Sequence, residues 1–286
     1  MIYDSIVIGK GPAGISASIY IKRAGLNPLV IGKDGGALEK TKQIDNYYGF
    51  ENGIDGESLI LKGIKQAKNM DIQIETDEVI DVKLEDYFRV FTRNAEYKAK
   101  TLIIATGSNR KAPKIKGIEE LEGKGVSYCA TCDAFFYRNK EVAVIGSGDY
   151  AIHEAMELMP IANKVTILTN GEKIIENRSS EININDKKIK EIRGDNKVEK
   201  IEFEDKTNLD ISGIFVAIGV ASSTDLAKKI GAVVDGNNIK VDEEMKTNVP
   251  GLYACGDCTG GLLQICKSVY EGAQAGISAI QYLRHR

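Results

Sequence analysis

The chain has 286 residues, 43% of them hydrophobic, with 29 glycines and a formal net charge of −3. That length suits two domains, and so small a net charge argues against a nucleic-acid or anionic-membrane partner. The opening Met-Ile-Tyr-Asp leads into a short apolar run that stops at Gly9. It lacks the basic start of a secretory signal and the roughly 20 apolar residues of a membrane span, so a cytoplasmic protein with no membrane contact is expected.

Ile2 to Ile8 reads as a buried strand, followed by the turn Gly9-Lys10-Gly11-Pro12-Ala13-Gly14 and a helix over Pro12 to Ala24 that Gly25 ends. Glycines at this spacing allow a tight turn, close backbone approach to a pyrophosphate and tight helix-on-strand packing. The helix N-terminus then faces the phosphates. Leu29 to Ile31 is the next strand, and Leu102 to Ala105 is another that runs into Thr106-Gly107. The polar stretch 111–117 is the expected linker. Val142 to Ile145, a helix over Asp149 to Met159 and Val165 to Leu168 repeat the unit around a second turn, Gly146-Ser147-Gly148-Asp149-Tyr150-Ala151. Ile214 to Ile218 running into Gly219 is a related strand end. Such alternation implies parallel sheets with crossover helices. The expected fold is α/β, with two Rossmann-like three-layer domains, the second inserted in the first. The outer domain is expected over 1–112 and 211–286, the inner over 113–210.

Five cysteines without a signal sequence do not read as a disulfide scaffold. Four form two Cys-x-x-Cys pairs, Cys129/Cys132 and Cys255/Cys258, and Cys266 is left over. Zinc is disfavoured because the pairs lie more than a hundred residues apart and the chain has 2 histidines, whereas zinc modules keep their pairs close; no metal is expected. Cys129-Ala-Thr-Cys132-Asp133 reads instead as a redox pair. The spacing lets the sulfurs join with little strain at the start of a helix, whose positive end raises the thiolate fraction. Asp133 adds a carboxyl able to move a proton.

The segment Gly125 to Asp133 (Gly-Val-Ser-Tyr-Cys-Ala-Thr-Cys-Asp), with Phe135-Phe136-Tyr137-Arg138-Asn139 after it, resembles the active-site segment of the low-molecular-weight thioredoxin reductases. Gly9 to Gly14, Gly35-Gly36-Ala37-Leu38, Asp45-Asn46, Ala105-Thr106-Gly107 and Gly256-Asp257 match in the same order over essentially the whole chain. The resemblance implies FAD/NAD(P)-binding-type domains, bound FAD, a homodimer and a central domain that rotates to carry the dithiol between flavin and partner. It assigns Gly9, Gly11, Pro12, Ala13 and Gly14 to the FAD pyrophosphate turn. Gly36, Ala37, Leu38, Asn46, Val79, Ala105, Thr106 and Gly107 would line the cofactor. Gly256 and Asp257 would bind the ribityl side, and Gln264 and Ile265 would approach the flavin ring. Cys132 would take electrons from the flavin, Cys129 would attack the disulfide of thioredoxin, and Asp133 would serve as acid/base. Cys255 and Cys258 would be small buried hydrophobes, with a second redox relay as the alternative.

The departures concern the electron source. NADPH-linked members carry His-Arg-Arg and a further Arg where this chain has Thr169, Asn170, Gly171 and Ile175. No arginine follows until Arg178, and the nearest acid is Glu172. Losing every cation against a dianionic phosphate costs roughly 1.5–3 kcal/mol per charged hydrogen bond, or orders of magnitude in affinity. Leu263 replaces the arginine usual before the flavin-contacting glutamine, and the stretch 176–200 is compressed. These changes resemble the ferredoxin-dependent flavin thioredoxin reductases, which implies reduced ferredoxin as electron donor. Lysines such as Lys62/Lys65/Lys68 or Lys111/Lys114/Lys116 could attract an acidic partner, although a solvated lysine face explains either cluster. The alternatives are an NAD(P)H-dependent enzyme with an altered nucleotide contact, through Glu172, and a non-catalytic flavoprotein scaffold.

Overall fold

The computed structural model describes residues 1–107, 114–174, 182–219 and 221–285. Lys111, Ile175, Glu176 and Arg178 lie outside them. The chain divides into two compact units, residues 1–110 with 222–286, and residues 111–221.

The first unit is built on β1 (Ile2–Ile8), α1 (Pro12–Arg23), β2 (Pro28–Ile31), α2 (Gly56–Lys68), β3 (Gln73–Glu75), β4 (Val79–Leu84), β5 (Phe88–Thr92) and β6 (Glu96–Ile104). β3, β2, β1 and β6 run parallel in that order. β4 and β5 form an antiparallel flap on the early part of β6. The strands read as unbroken apolar runs because both faces are covered. Val7, Val30 and Ile103 pack with Ala13, Ala17 and Ile21 of α1, so their neighbours Ile6, Ile8, Leu29 and Ile104, all buried, face the other way. Pro12 opens α1 at a position where a missing N–H costs nothing. α2 starts at Asp55, whose side chain accepts from the Ser58 N–H at 2.9 Å.

The second unit holds β7 (Val126–Ser127), α3 (Ala130–Asp133), β8 (Glu141–Ile145), α4 (Asp149–Leu158), β9 (Lys164–Leu168), β10 (Asn183–Asn185), β11 (Ile189–Arg193), β12 (Lys200–Phe203), β13 (Asn208–Asp210) and β14 (Gly213–Val216). Its parallel sheet has the order β10-β9-β8-β14-β7, and β11-β12-β13 form a small antiparallel sheet. Ala143 and Ile145 of β8 pack on Ile192, Ile201 and Phe203 of the small sheet, and α4 covers the opposite face. This is the expected α/β three-layer architecture. The return to the first unit differs from the expected residue 211: β14 pairs with β8 and β7, and the chain crosses back at Ser222.

The chain then forms α5 (Ser223–Lys229), β15 (Val234–Asp235), β16 (Asn238–Ile239), β17 (Leu252–Ala254) and α6 (Ile265–Arg284). β17 extends the first sheet beside β6. α6 lies close on α1 because it carries glycines at the crossing: a Cβ on Gly272 would fall 2.1 Å from the Ala13 carbonyl oxygen, and one on Gly276 2.8 Å from that of Ala17. Among the described residues no helix is long and apolar enough to cross a membrane.

Candidate active site

The glycines of the first turn are there for three different reasons. Gly9 has φ +117°, a region that favours glycine, and a Cβ there would meet the Ala105 carbonyl oxygen at 2.1 Å. Gly14 would place a Cβ 1.9 Å from the Gly9 carbonyl oxygen. Gly11 has ordinary extended backbone, and a Cβ there would meet nothing within 4 Å. The fold requires glycine at 9 and 14, whereas at 11 it leaves open space over the start of α1. That helix end has no side-chain cap and no acid in its first turn, so its amides are free for an anionic group.

Other predicted residues gather around this turn. Ala105, Thr106 and Gly107 follow β6, behind Gly9. Gly256 and Asp257 begin the turn after β17, and a Cβ on Gly256 would lie 2.9 Å from the Ala13 Cβ. Gly36, Ala37 and Leu38 form a short 3₁₀ turn after β2. Asn46 donates its side-chain amide to the Gln264 Oε1 at 3.0 Å, which ties that loop to the start of α6 at Ile265. Val79 begins β4, buried and paired with Thr92. Two features escaped the sequence reading. Asp34 follows β2 and accepts from the Gly36 N–H at 3.0 Å; it stands about 25 residues past the first glycine, near the spacing of a ribose-binding acid in such folds. The second is a cluster on α6. The Glu271 Oε2 accepts from the Gly256 N–H at 2.8 Å, the Thr259 hydroxyl at 2.9 Å and the Lys267 ammonium at 3.0 Å, and Lys267 also donates to the Gly256 carbonyl at 3.0 Å.

Cys255 and Cys258 sit beneath this turn, fully buried. The Cys258 thiol donates to the carbonyls of Cys255 and Ile104 at 3.2 and 3.4 Å. Burial pushes the Cys255 thiol well up and that of Cys258 up to about 12. Neither supplies thiolate near neutral pH, which favours the role of buried hydrophobe over a second relay.

In the second unit Cys129 and Cys132 are joined as a disulfide with Cα atoms 5.3 Å apart. Cys129 caps α3 and Cys132 lies within it, and the Cys132 N–H donates to the Cys129 Sγ at 3.2 Å. Cys129 is 3% exposed, whereas Cys132 is exposed. The Asp133 N–H donates to the Cys129 carbonyl at 3.2 Å. The pKa of the Tyr137 hydroxyl is raised, first by burial and then by the charge of Asp133. Phe135 and Phe136 are 70% and 68% exposed next to the dithiol.

The second glycine turn keeps the first one's backbone and changes its chemistry. A Cβ on Gly146, φ +155°, would meet the Ala217 carbonyl oxygen at 2.2 Å, as Gly9 would meet Ala105. Here, however, Asp149 stands in the first turn of α4, and Ser147 donates to the Glu172 Oε2 at 2.6 Å. Thr169 is buried, and the Asn170 Oδ1 is turned inward to accept from the Ile189 N–H at 2.7 Å. The Lys188 side chain covers Gly171. Of the lysines considered as docking charges, Lys116 is paired with Glu191 at 2.8 Å.

The pyridine nucleotide-disulphide oxidoreductase family matches residues 3–279. The thioredoxin reductase of Listeria innocua is 36% identical over 302 residues, covering 99% of this chain and 94% of its own. Among solved structures, the atypical thioredoxin reductase TRi from Desulfovibrio vulgaris Hildenborough is 38% identical with a TM-score of 0.93, covering 99% of both chains. A ferredoxin-flavin thioredoxin reductase from Clostridium acetobutylicum is 35% identical with a TM-score of 0.73, again over 99% of both chains.

Proposed function

This chain belongs to the pyridine nucleotide-disulphide oxidoreductases and, within them, to the thioredoxin reductases, and from that premise we propose that its electrons enter from reduced ferredoxin rather than from a nicotinamide. It is a flavin disulfide oxidoreductase whose cofactor is FAD and whose substrate is thioredoxin. The open space at Gly11 and the uncapped end of α1 fit the FAD pyrophosphate. In this reading Gly9 to Gly14 hold that group, with Gly36, Ala37, Leu38, Asn46, Val79, Ala105, Thr106, Gly107, Gly256, Asp257, Gln264 and Ile265 around the rest. The enzyme works as a homodimer.

One observation carries the choice of donor. The second glycine turn has Asp149 in the first turn of its helix and Glu172 bonded to Ser147, and residues 169–171 themselves carry no cation, the lysine over Gly171 being Lys188. The similarity to a ferredoxin-flavin thioredoxin reductase supports the same reading. A second reading rests on Glu172: bonded to Ser147 at the mouth of that turn, it stands where an acid would hold the ribose of NADH.

FAD, when bound, supplies a site that collects two electrons and releases them as a pair. The protein's part begins at Cys132, whose exposed sulfur is open to an electron donor while Cys129 is covered. Two electrons break the Cys129–Cys132 bond. The Cys132 N–H, aimed at the Cys129 Sγ, stabilises thiolate there. Cys129, once uncovered, attacks one sulfur of the thioredoxin disulfide. A mixed disulfide forms and the departing thioredoxin sulfur takes a proton, which in this reading Asp133 delivers. Cys132 as thiolate then attacks the Cys129 Sγ, restoring the internal disulfide and releasing the second thioredoxin thiol. Phe135 and Phe136 give the partner an apolar surface beside the reacting sulfurs.

The test is anaerobic bleaching of the bound flavin. Reduced ferredoxin should bleach it within the time of turnover, and NADPH or NADH at micromolar concentration should not. Rapid bleaching by NADH alone would transfer support to the Glu172 reading, and rapid bleaching by NADPH would sink both.

A further inference from the structure

Glu154 lies on α4 and is 1% exposed, and nothing in the steps above uses it. Burying a carboxyl in a helix face is costly unless it is bonded, and an apolar side chain would pack there without that cost. One bond it makes reaches the dithiol segment. Its Oε2 accepts from the Ala130 N–H at 2.7 Å, the amide immediately after Cys129. One turn earlier on the same helix, the buried Tyr150 donates its hydroxyl to the Tyr128 carbonyl at 3.3 Å. Between these two, the Cys129 N–H donates to the Ser127 Oγ at 3.1 Å. Three successive residues of the dithiol segment are therefore held through backbone atoms, two of them by α4. None of these bonds involves sulfur, so none need break when the disulfide opens.

We propose that Glu154 is a positioning residue for the dithiol: its carboxyl fixes the Ala130 amide so that Cys129 and Cys132 stay in register for closing their bond. The proposal rests on the reading that Cys129–Cys132 is the working disulfide. Fixing the turn raises the effective concentration of one sulfur at the other, which stabilises the closed, oxidised form. Loosening the turn makes the disulfide easier to reduce and raises its potential. Thus α4, which in a dinucleotide fold serves the phosphates, here serves the sulfurs.

The experiment equilibrates the purified FAD-loaded enzyme with graded mixtures of dithiothreitol and its oxidised form, then counts the dithiol by alkylation and mass. In this exchange the enzyme disulfide takes two electrons and two protons from dithiothreitol, which closes its own ring. Flavin content serves as the check on folding. Glu154→Met, which keeps bulk and loses the acceptor, is expected to shift the exchange constant toward the dithiol by about tenfold, the equivalent of one strong hydrogen bond. That is about 30 mV for a two-electron couple. Glu154→Gln keeps an oxygen for the Ala130 N–H and is expected to stay within about threefold of the wild type. A wild-type constant in Glu154→Met would overturn the proposal. So would a Glu154→Gln constant equal to that of Glu154→Met, since charge and not position would then be the lever. Should Glu154→Met fail to fold, Tyr150→Phe decides. It removes the companion bond without opening a cavity and is expected to move the constant the same way by about threefold; no movement overturns the proposal. Because the readout is an equilibrium of the dithiol, it is independent of which donor feeds the flavin.

Discussion

Glu271 offers a quantitative test of how the turn at Gly256 is held. Its Oε2 receives the Gly256 N–H, the Thr259 hydroxyl and the Lys267 ammonium, all within 3.0 Å, and the side chains of Lys267 and Glu271 are 15% and 11% exposed. Replacing Glu271 by Ala leaves a largely buried ammonium without its counter-charge and the Gly256 amide without its acceptor. Breaking a buried pair from one side typically costs about 3–5 kcal/mol. At about 2–4 °C per kcal/mol for a chain of this order, the midpoint of thermal unfolding should fall on the order of 10 °C. The double variant Lys267→Met with Glu271→Leu removes both charges together. It should recover much of the loss, because an ion pair of this kind is often replaceable by apolar groups of similar volume. Melts should be followed both by far-ultraviolet circular dichroism and by flavin fluorescence, since the turn being loosened is the one that carries Asp257. In Glu271→Ala the flavin should leave before the protein unfolds. A Glu271→Ala midpoint within about 2 °C of the wild type, less than one kcal/mol on that scale, would refute the argument. A double variant no better than the single one would refute it as well.

The roles of the two sulfurs are separable by trapping. Offered a thioredoxin with one active-site cysteine activated by an aromatic thiol, Cys132→Ser should accumulate a stable mixed disulfide through Cys129, and Cys129→Ser should not. Since Cys129 is the covered residue and Cys132 the exposed one, the reverse result would exchange their assignments. The buried pair should behave differently from the exposed Cys266. With iodoacetamide at pH 8.5, folded oxidised enzyme should label at Cys266 and not at Cys255 or Cys258, as read by peptide mass. The Cys258 thiol is held up to about 12 by burial, against about 8.5 unfolded. Between those values the folded state keeps the proton that the unfolded chain has lost. Stability is therefore full below about pH 8.5 and falls as pH rises toward 12; a melting midpoint that rose from pH 8.5 to 10.5 would contradict this.

How much of this was legible in the sequence follows from how far apart the interacting residues lie. The first glycine turn was readable because its strand, turn and helix are contiguous and its steric demands at Gly9 and Gly14 are local. The membership of Gly213–Val216 in the second sheet was not, since it depends on pairing with β8 and β7 from segments some 70 to 90 residues earlier. Lys267 and Glu271, four apart, look from sequence like an ordinary exposed helix pair. They are largely buried because the turn at Gly256 and Thr259 folds onto them. Glu154 stands in a helix whose neighbours His153 and Glu157 are polar, and only the return of α3 to α4 shows that it faces inward.

The two glycine turns carry this point furthest. Their spacing is alike, and each first glycine backs onto the carbonyl oxygen at the end of a neighbouring strand, Ala105 in one unit and Ala217 in the other. What that spacing specifies is the packing of helix on strand. What the turn binds is decided by charge around the open position. Beside Gly11 the helix start is uncapped and free of acids. Beside Gly148 it has Asp149, with Glu172 drawn in by Ser147 from 25 residues away. A duplicated fold can thus lose a ligand without losing its shape, because the residues that stabilise the turn and those that neutralise a phosphate are different residues. In the proposed reading α4 serves no dinucleotide, and its buried face holds the segment that bears Cys129 and Cys132.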